Sequence, residues 1–145
     1  MLIYVTLHYS GRARCCRAHR GGSTDLAAAI RVIRTQMLPG GGDSGSGRRR
    51  VAVIMLEGAS LDETAAVREA IAARDAGITL LVVGISERAV PPTEWLGVAN
   101  YPTNINVFAV ADYRHLPAIV NRLIVSVTNG SQPTNEVIYS MLERA

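Results

Sequence analysis

The chain has 145 residues, of which 48% are hydrophobic and 19% charged, with a formal net charge of +3. That length suits one domain around one core, and the composition is that of an ordinary globular protein. No apolar run reaches the roughly 18 residues of a membrane-spanning helix, and two cysteines make no disulfide framework.

In chain order, Leu2–Tyr9 alternates and is rich in β-formers, which predicts a strand. Its start lacks a charged n-region and a cleavage site, so it does not read as a signal peptide. Ser10–Gly22 is polar, arginine-rich and patternless and reads as a loop. It holds the neighbouring Cys15 and Cys16; a bridge between adjacent cysteines is strained, so they read as free thiols or as one pairing with another chain, which leaves the redox compartment undecided. Thr24 opens a helix, where its hydroxyl suits the unpaired N–H groups of the first turn and Asp25 suits the positive end of the dipole. Leu26, Ile30, Ile33 and Met37 fall on one face of that helix. Pro39 and the glycine run Gly40–Gly47 end it.

Every basic residue is arginine, and many lie before Val51: Arg12, Arg14, Arg17, Arg20, Arg31, Arg34 and Arg48–Arg50. Clustered arginine can bind phosphate backbones. With only 5% aromatic residues there is no stacking platform, so these charges read as solvated and no nucleic-acid partner is expected.

The stretch Arg50–Gly84 is the most informative. Val51–Leu56 and Ile78–Val83 are unbroken apolar runs, the mark of strands buried on both faces. Between them Ser60-Leu-Asp-Glu63 has the form of a capping box, Ala66, Val67, Ala70, Ile71 and Ala73 make an apolar helix face, and Gly77 stops the helix. Strand, helix and strand form a βαβ unit, which implies a parallel sheet flanked by helices. In such sheets ligands dock at the carboxyl ends of the strands, here Leu56–Ser60 and Gly84–Arg88.

Pro91-Pro92-Thr93 begins a short helix, with Trp95 filling space beneath the loop after Gly84. Ile105–Val110 reads as a short strand. A helix begins near Leu116, with Pro117 in its first turn and Leu116, Ile119, Val120, Leu123, Ile124 and Val127 facing the core. Asn129–Pro133 breaks it, and Asn129-Gly130-Ser131 is a glycosylation sequon if the chain is secreted. Residues 1–128 thus read as the domain and 129–145 as a linker or short helix.

Other chemistry finds little support. His8, His19 and His115 lack zinc-ligand spacing. Ser10, Ser23, Ser60 and Ser86 lack a nucleophile elbow. Gly40–Gly47 precedes a strand rather than opening a helix, the wrong context for a phosphate loop.

Several segments, in order, resemble the von Willebrand factor type A domain. Leu2–Ser10 looks like that family's second strand, and Gly21-Gly-Ser-Thr-Asp-Leu-Ala-Ala-Ala-Ile30 like its glycine-threonine helix start. Val51–Gly58 looks like its fourth strand, which usually closes Thr-Asp-Gly. Asp75–Ile85 matches its fifth strand and preceding helix end, and Val107-Phe-Ala-Val with Leu116 onward its last strand and helix. Each motif alone is common; their order and spacing are specific.

The resemblance implies a Rossmann-like α/β fold, a mostly parallel sheet flanked by helices, lacking the family's first strand and its edge-strand region. Because that first strand is normally central, Val51–Leu56 is expected to keep an open edge unless Leu2–Tyr9 closes against it or a partner supplies a strand. An open edge invites self-association. The resemblance further implies a noncatalytic adhesion or matrix module outside the cell, binding a protein ligand, matrix proteins or collagen among them.

The implied binding face is Ser23, Thr24, Asp25, Glu57, Gly58 and Ser86. Thr24 matches the family's metal-site threonine, and Glu57 stands where the family has aspartate. The Asp-x-Ser-x-Ser loop that supplies most oxygen ligands has no counterpart. The adhesion site is therefore expected to be degenerate, taking Mg2+ or Mn2+ only if that loop is supplied. From the residues alone, Thr24 is a helix cap and Glu57 a loop carboxylate. Two alternatives stand beside this reading: a Rossmann-like nucleotide-binding or enzymatic domain, poorly supported by the single glycine of Leu56-Glu-Gly-Ala-Ser60, and a structural remnant that pairs through its open sheet.

Overall fold

A computed structural model describes residues 2–8, 12–18, 25–39, 49–87 and 91–128. The strands are β1 (Leu2–His8), β2 (Arg12–Ala18), β3 (Arg50–Glu57), β4 (Ile78–Ile85) and β5 (Val107–Val110). The helices are α1 (Leu26–Val32), α2 (Glu63–Asp75), α3 (Thr93–Val98), the single turn α4 (Thr103–Asn106) and α5 (Leu116–Thr128). The strands form one five-stranded sheet in the order β2-β1-β3-β4-β5.

β3, β4 and β5 run parallel, as the βαβ reading requires. Their residues alternate between two cores because successive side chains of a strand point to opposite faces. Ala52, Ile54 and Leu56 of β3 join Ile78, Leu80 and Val82 of β4 under Leu26, Ile30 and Ile33 and the alanines of α2. Val51, Val53, Leu81, Val83, Phe108 and Val110 face the other way, toward Ile119 and Leu123 of α5. The result is three layers, helix–sheet–helix, which is why β3 and β4 are apolar at nearly every position.

The sheet corrects one expectation at its other end and settles a second that was open. The loop reading of Ser10–Gly22 fails: Arg12–Ala18 is a strand, antiparallel to β1, so an edge strand is present. An edge strand is held by backbone bonds on one side only and accepts charged residues, so arginines without apolar alternation do not prevent it. The edge of β3 is closed by the first of the ways named above: β1 pairs with it, antiparallel in the register Val5↔Val53. β1 thus lies beside β3, in the central place that the resemblance reserves for the family's first strand.

Local chemistry corrects the caps. Asp25 caps α1, its Oδ1 accepting from Ala28 N at 2.9 Å. Asp62, not Ser60, caps α2, accepting from Ala65 N at 2.9 Å. Glu63 does not reach back to complete a box but accepts from Thr93 Oγ1 at 2.8 Å. Beyond Val32 the helix widens into a π-turn, Ile33–Met37, closed by Leu38 N–H donating to Ile33 O at 2.8 Å. Gly77 has φ +77°, the left-handed stop expected of it.

Strand β5 is shorter than the apolar run suggests. Asn106 Nδ2 donates to Asn100 O at 3.2 Å and Pro102 O at 3.1 Å, which winds residues 103–106 into α4. Asn100 in turn accepts from Leu80 N at 2.7 Å and donates its own N–H to Leu80 O at 2.9 Å. It stands in for a strand neighbour where β5 has not yet begun.

Trp95 is fully buried and lies flat against the sheet at Gly84, where an added Cβ would overlap the indole ring atoms Cζ3, Cη2 and Cε3. The indole therefore packs on the strand itself. Arg74 Nη1 donates to the carbonyls of Gly97, Val98 and Ala99 at 2.8, 2.9 and 3.0 Å, closing the C-terminus of α3. These contacts make α3 a fixed platform beside the end of β4.

Gly84→Ala is expected to destabilise the fold by about 3 kcal/mol in urea unfolding, because ring and backbone cannot both give way. Trp95→Leu in the same chain should recover part of that loss, so the two changes will be non-additive.

Candidate functional site

The parallel register aligns three strand ends. Glu57 pairs with Ile85, and Ile85 pairs with Val110. The segments that leave these ends, Gly58–Asp62, Ser86–Glu87 and Ala111–His115, therefore share one rim. This follows from strand direction, since antiparallel partners would send one of these segments to the opposite end.

Glu57 is exposed at the end of β3, and its Oε2 accepts from the Tyr113 hydroxyl at 3.0 Å. Burial raises the Tyr113 phenol above its usual value near 10, and the neighbouring Glu57 carboxylate adds to the shift. Gly58 follows with φ +80°, a left-handed turn suited to glycine. Ser86 N–H donates to Val110 O at 2.9 Å, which stitches the exit of β4 to the end of β5.

Asp112 is a second carboxylate on the rim. It accepts from Arg114 Nη2 at 2.7 Å, from Arg114 N at 2.8 Å and from His115 Nδ1 at 2.8 Å. The Arg114 side chain, then His115 and the Arg114 N–H, hold its carboxyl below the ordinary aspartate range. A third carboxylate, Glu94 of α3, is 2% exposed. Its Oε2 accepts from Ser60 N at 3.0 Å and its Oε1 from Ser60 Oγ.

Of the residues singled out in the sequence, the structure brings Glu57, Gly58 and Ser86 to this rim. Asp25 is the cap of α1, and no hydrogen bond between described residues joins it to Glu57. Ser23 and Thr24 lie outside the described residues. So do Gly40–Gly47, Arg88, Asn129 and the segment 129–145. Sequence reasoning missed Tyr113 and Glu94 as rim residues. Their partners stand 56 and 34 residues away, so no local pattern announces them. Asp112 carried a legible signal: an aspartate just before a helical run is a cap, and Asp112 accepts from Arg114 N.

Hard cations take six or more oxygen ligands. Among the described residues no group of three or more His, Cys, Asp or Glu side chains could hold a metal ion. Glu57, Asp112 and Glu94 each accept bonds from protein donors instead. The described donors by themselves do not fit such an ion. One further depression, lined by Ile105, Phe108, Arg122 and Val125, lies on the flank of α5 rather than at the rim, with the Arg122 guanidinium 5.5 Å from the Phe108 ring centroid.

The family's sequence model, described as von Willebrand factor type A domain, matches residues 13–122. The chain belongs to that family. Among curated proteins it is 30% identical over 111 residues to the collagen alpha-1(XII) chain of Notophthalmus viridescens. That match covers 77% of this chain and 12% of the collagen, so the chain spans about an eighth of that relative's length. Among solved structures it is similar to proximal thread matrix protein 1 from the mussel byssus, with TM-score 0.64 and 19% identity, over 77% of this chain and 28% of the other. That likeness concerns the fold. No helix among the described residues is long and apolar enough to cross a membrane.

The Tyr113 shift carries a sign. A phenol whose folded pKa is raised contributes stability fully below its unfolded pKa, near 10, and loses it as pH rises through the higher folded value. Unfolding free energy should therefore fall on alkaline titration above about pH 10. Tyr113→Phe should remove that part of the fall, read from urea midpoints across the range.

Proposed function

We propose that the chain is a noncatalytic interaction module of an extracellular matrix or adhesion protein. It binds a protein ligand, matrix proteins or collagen among the candidates, at the C-terminal ends of β3, β4 and β5. The binding face is Ser23, Thr24, Asp25, Glu57, Gly58 and Ser86, and its metal-ion-dependent site is degenerate. The observation that carries this reading is the family match over residues 13–122 on a sheet whose parallel ends converge on one rim.

Several features support it. The relatives' own names place them in matrix materials, a collagen and a byssus thread matrix protein. Open α/β sheets take ligands at this end of their strands. An exposed carboxylate beside a glycine and a half-exposed tyrosine offers a protein partner hydrogen bonds and flat apolar surface together. The turn after β3 has one glycine, and this weighs against a phosphate-binding enzyme.

Binding of the whole chain to immobilised collagen fibrils tests the reading. Glu57→Ala should weaken binding by about tenfold or more, a loss of some 1.4 kcal/mol. Arg49→Ala, at the opposite end of β3, should leave it unchanged. Equal binding by all three proteins, or none by the unaltered chain to collagen or other matrix proteins, would overturn it. Magnesium or manganese should raise the melting temperature by about 1 °C or less. A rise of many degrees that Glu57→Ala abolishes would show an intact cation site instead.

A further inference from the structure

We propose that Glu94 is a positioning residue for the rim: its buried carboxylate clasps Ser60 and thereby fixes the loop that presents Glu57 to a protein ligand. The inference rests on the binding-face reading above, and its structural half can be tested without a ligand.

The β3–α2 loop has little else to hold it. Glu57, Gly58 and Ala59 are exposed, as are Leu61, Asp62, Glu63 and Thr64, whereas Ser60 between them is partly buried. β3 anchors one end of the loop and the Asp62 cap the other. Between those anchors Gly58 has no side chain and adopts φ +80°. Ser60 alone reaches inward, and both its N–H and its hydroxyl are donated to Glu94.

Glu94 is an expensive choice for this duty. A buried carboxylate gives up its hydration, a loss to be set against the bonds it makes. Its bonds go to one serine, and no described arginine or histidine pairs with it. An apolar residue would serve the packing of α3 better. What the carboxylate supplies is geometry: two oxygens aimed at two donors of one loop residue.

The platform behind it is rigid. Trp95, the next residue, packs on Gly84, and Arg74 grips the far end of α3. Thr93, the preceding residue, donates to Glu63 on α2 at 2.8 Å. Three consecutive side chains of α3 thus tie it to α2, to the rim loop and to β4. Glu57 lies three positions before the clasped serine, and its bond to Tyr113 depends on where the loop leaves the strand.

The test compares Glu94→Ala, Glu94→Gln and Ser60→Ala in the whole chain, with Ile33→Val as a remote core variant. Three readouts are followed: amide exchange at Ser60, the Tyr113 titration by 13Cζ resonance, and affinity for immobilised collagen fibrils. Glu94→Ala should speed Ser60 exchange about tenfold, move the Tyr113 pKa back toward 10 and weaken fibril binding about tenfold. Glu94→Gln, which can still accept from the Ser60 N–H, should keep most of each signal, and Ile33→Val should leave all three unchanged while lowering the melting temperature.

If Glu94→Ala does not fold, Ser60→Ala should show the same directions at smaller size. A folded Glu94→Ala or Ser60→Ala with unchanged Ala59–Ser60 exchange and unchanged Tyr113 titration would overturn the clasp. Absence of fibril binding by the unaltered chain would overturn the collagen reading alone, with exchange and titration still deciding the clasp.

Discussion

The parallel pairing of β3 with β4 is the constraint on which the rest depends. Both strands are apolar on both faces, so each must be covered twice, and the two helical layers exist to cover them. Their register sets Leu56 beside Gly84 and Glu57 beside Ile85. A slip of one residue would exchange the two faces, putting Gly84 against α5 and a larger side chain under Trp95. Packing thus enforces the alignment of the strand ends, and that alignment creates the rim.

The rim is held by bonds between distant segments. Tyr113, after β5, reaches Glu57 at the end of β3. Glu94, after β4, reaches Ser60 in the loop leaving β3. Each ties two crossovers that have no sequence neighbourhood in common. Glu57, Asp112 and Glu94 are occupied by hydroxyl, guanidinium, imidazole and amide donors, which leaves a surface suited to shape and hydrogen bonding. On the proposed function, recognition would draw on that surface, with the loop geometry set by groups that the ligand never touches.

Much of the central architecture was legible because it rests on local signals. Continuous apolar runs, the glycine stop at residue 77 and the start of α5 at Leu116 depend on residues within one element. β2 was not legible, since an edge strand needs only a partner's backbone, and its arginines carry no alternation. The cap of α2 was misplaced by two residues because Ser60 and Asp62 are both good capping residues. Only the burial of Glu94 decides that Ser60 is used elsewhere. The start of β5 is not legible because Ile105 is apolar while the side chain of Asn106 winds the backbone there into a turn.

The rim was legible in part for the same reason. Strand direction alone brings Glu57, Gly58 and Ser86 together, whereas the partners that orient them come from the far ends of other crossovers. The most direct measurement of the account is the set of interstrand backbone NOEs in the labelled chain. A parallel pattern that places Leu56 beside Gly84 and Ile54 beside Val82 is expected. An antiparallel pattern, with Leu56 near Ile78, would contradict it.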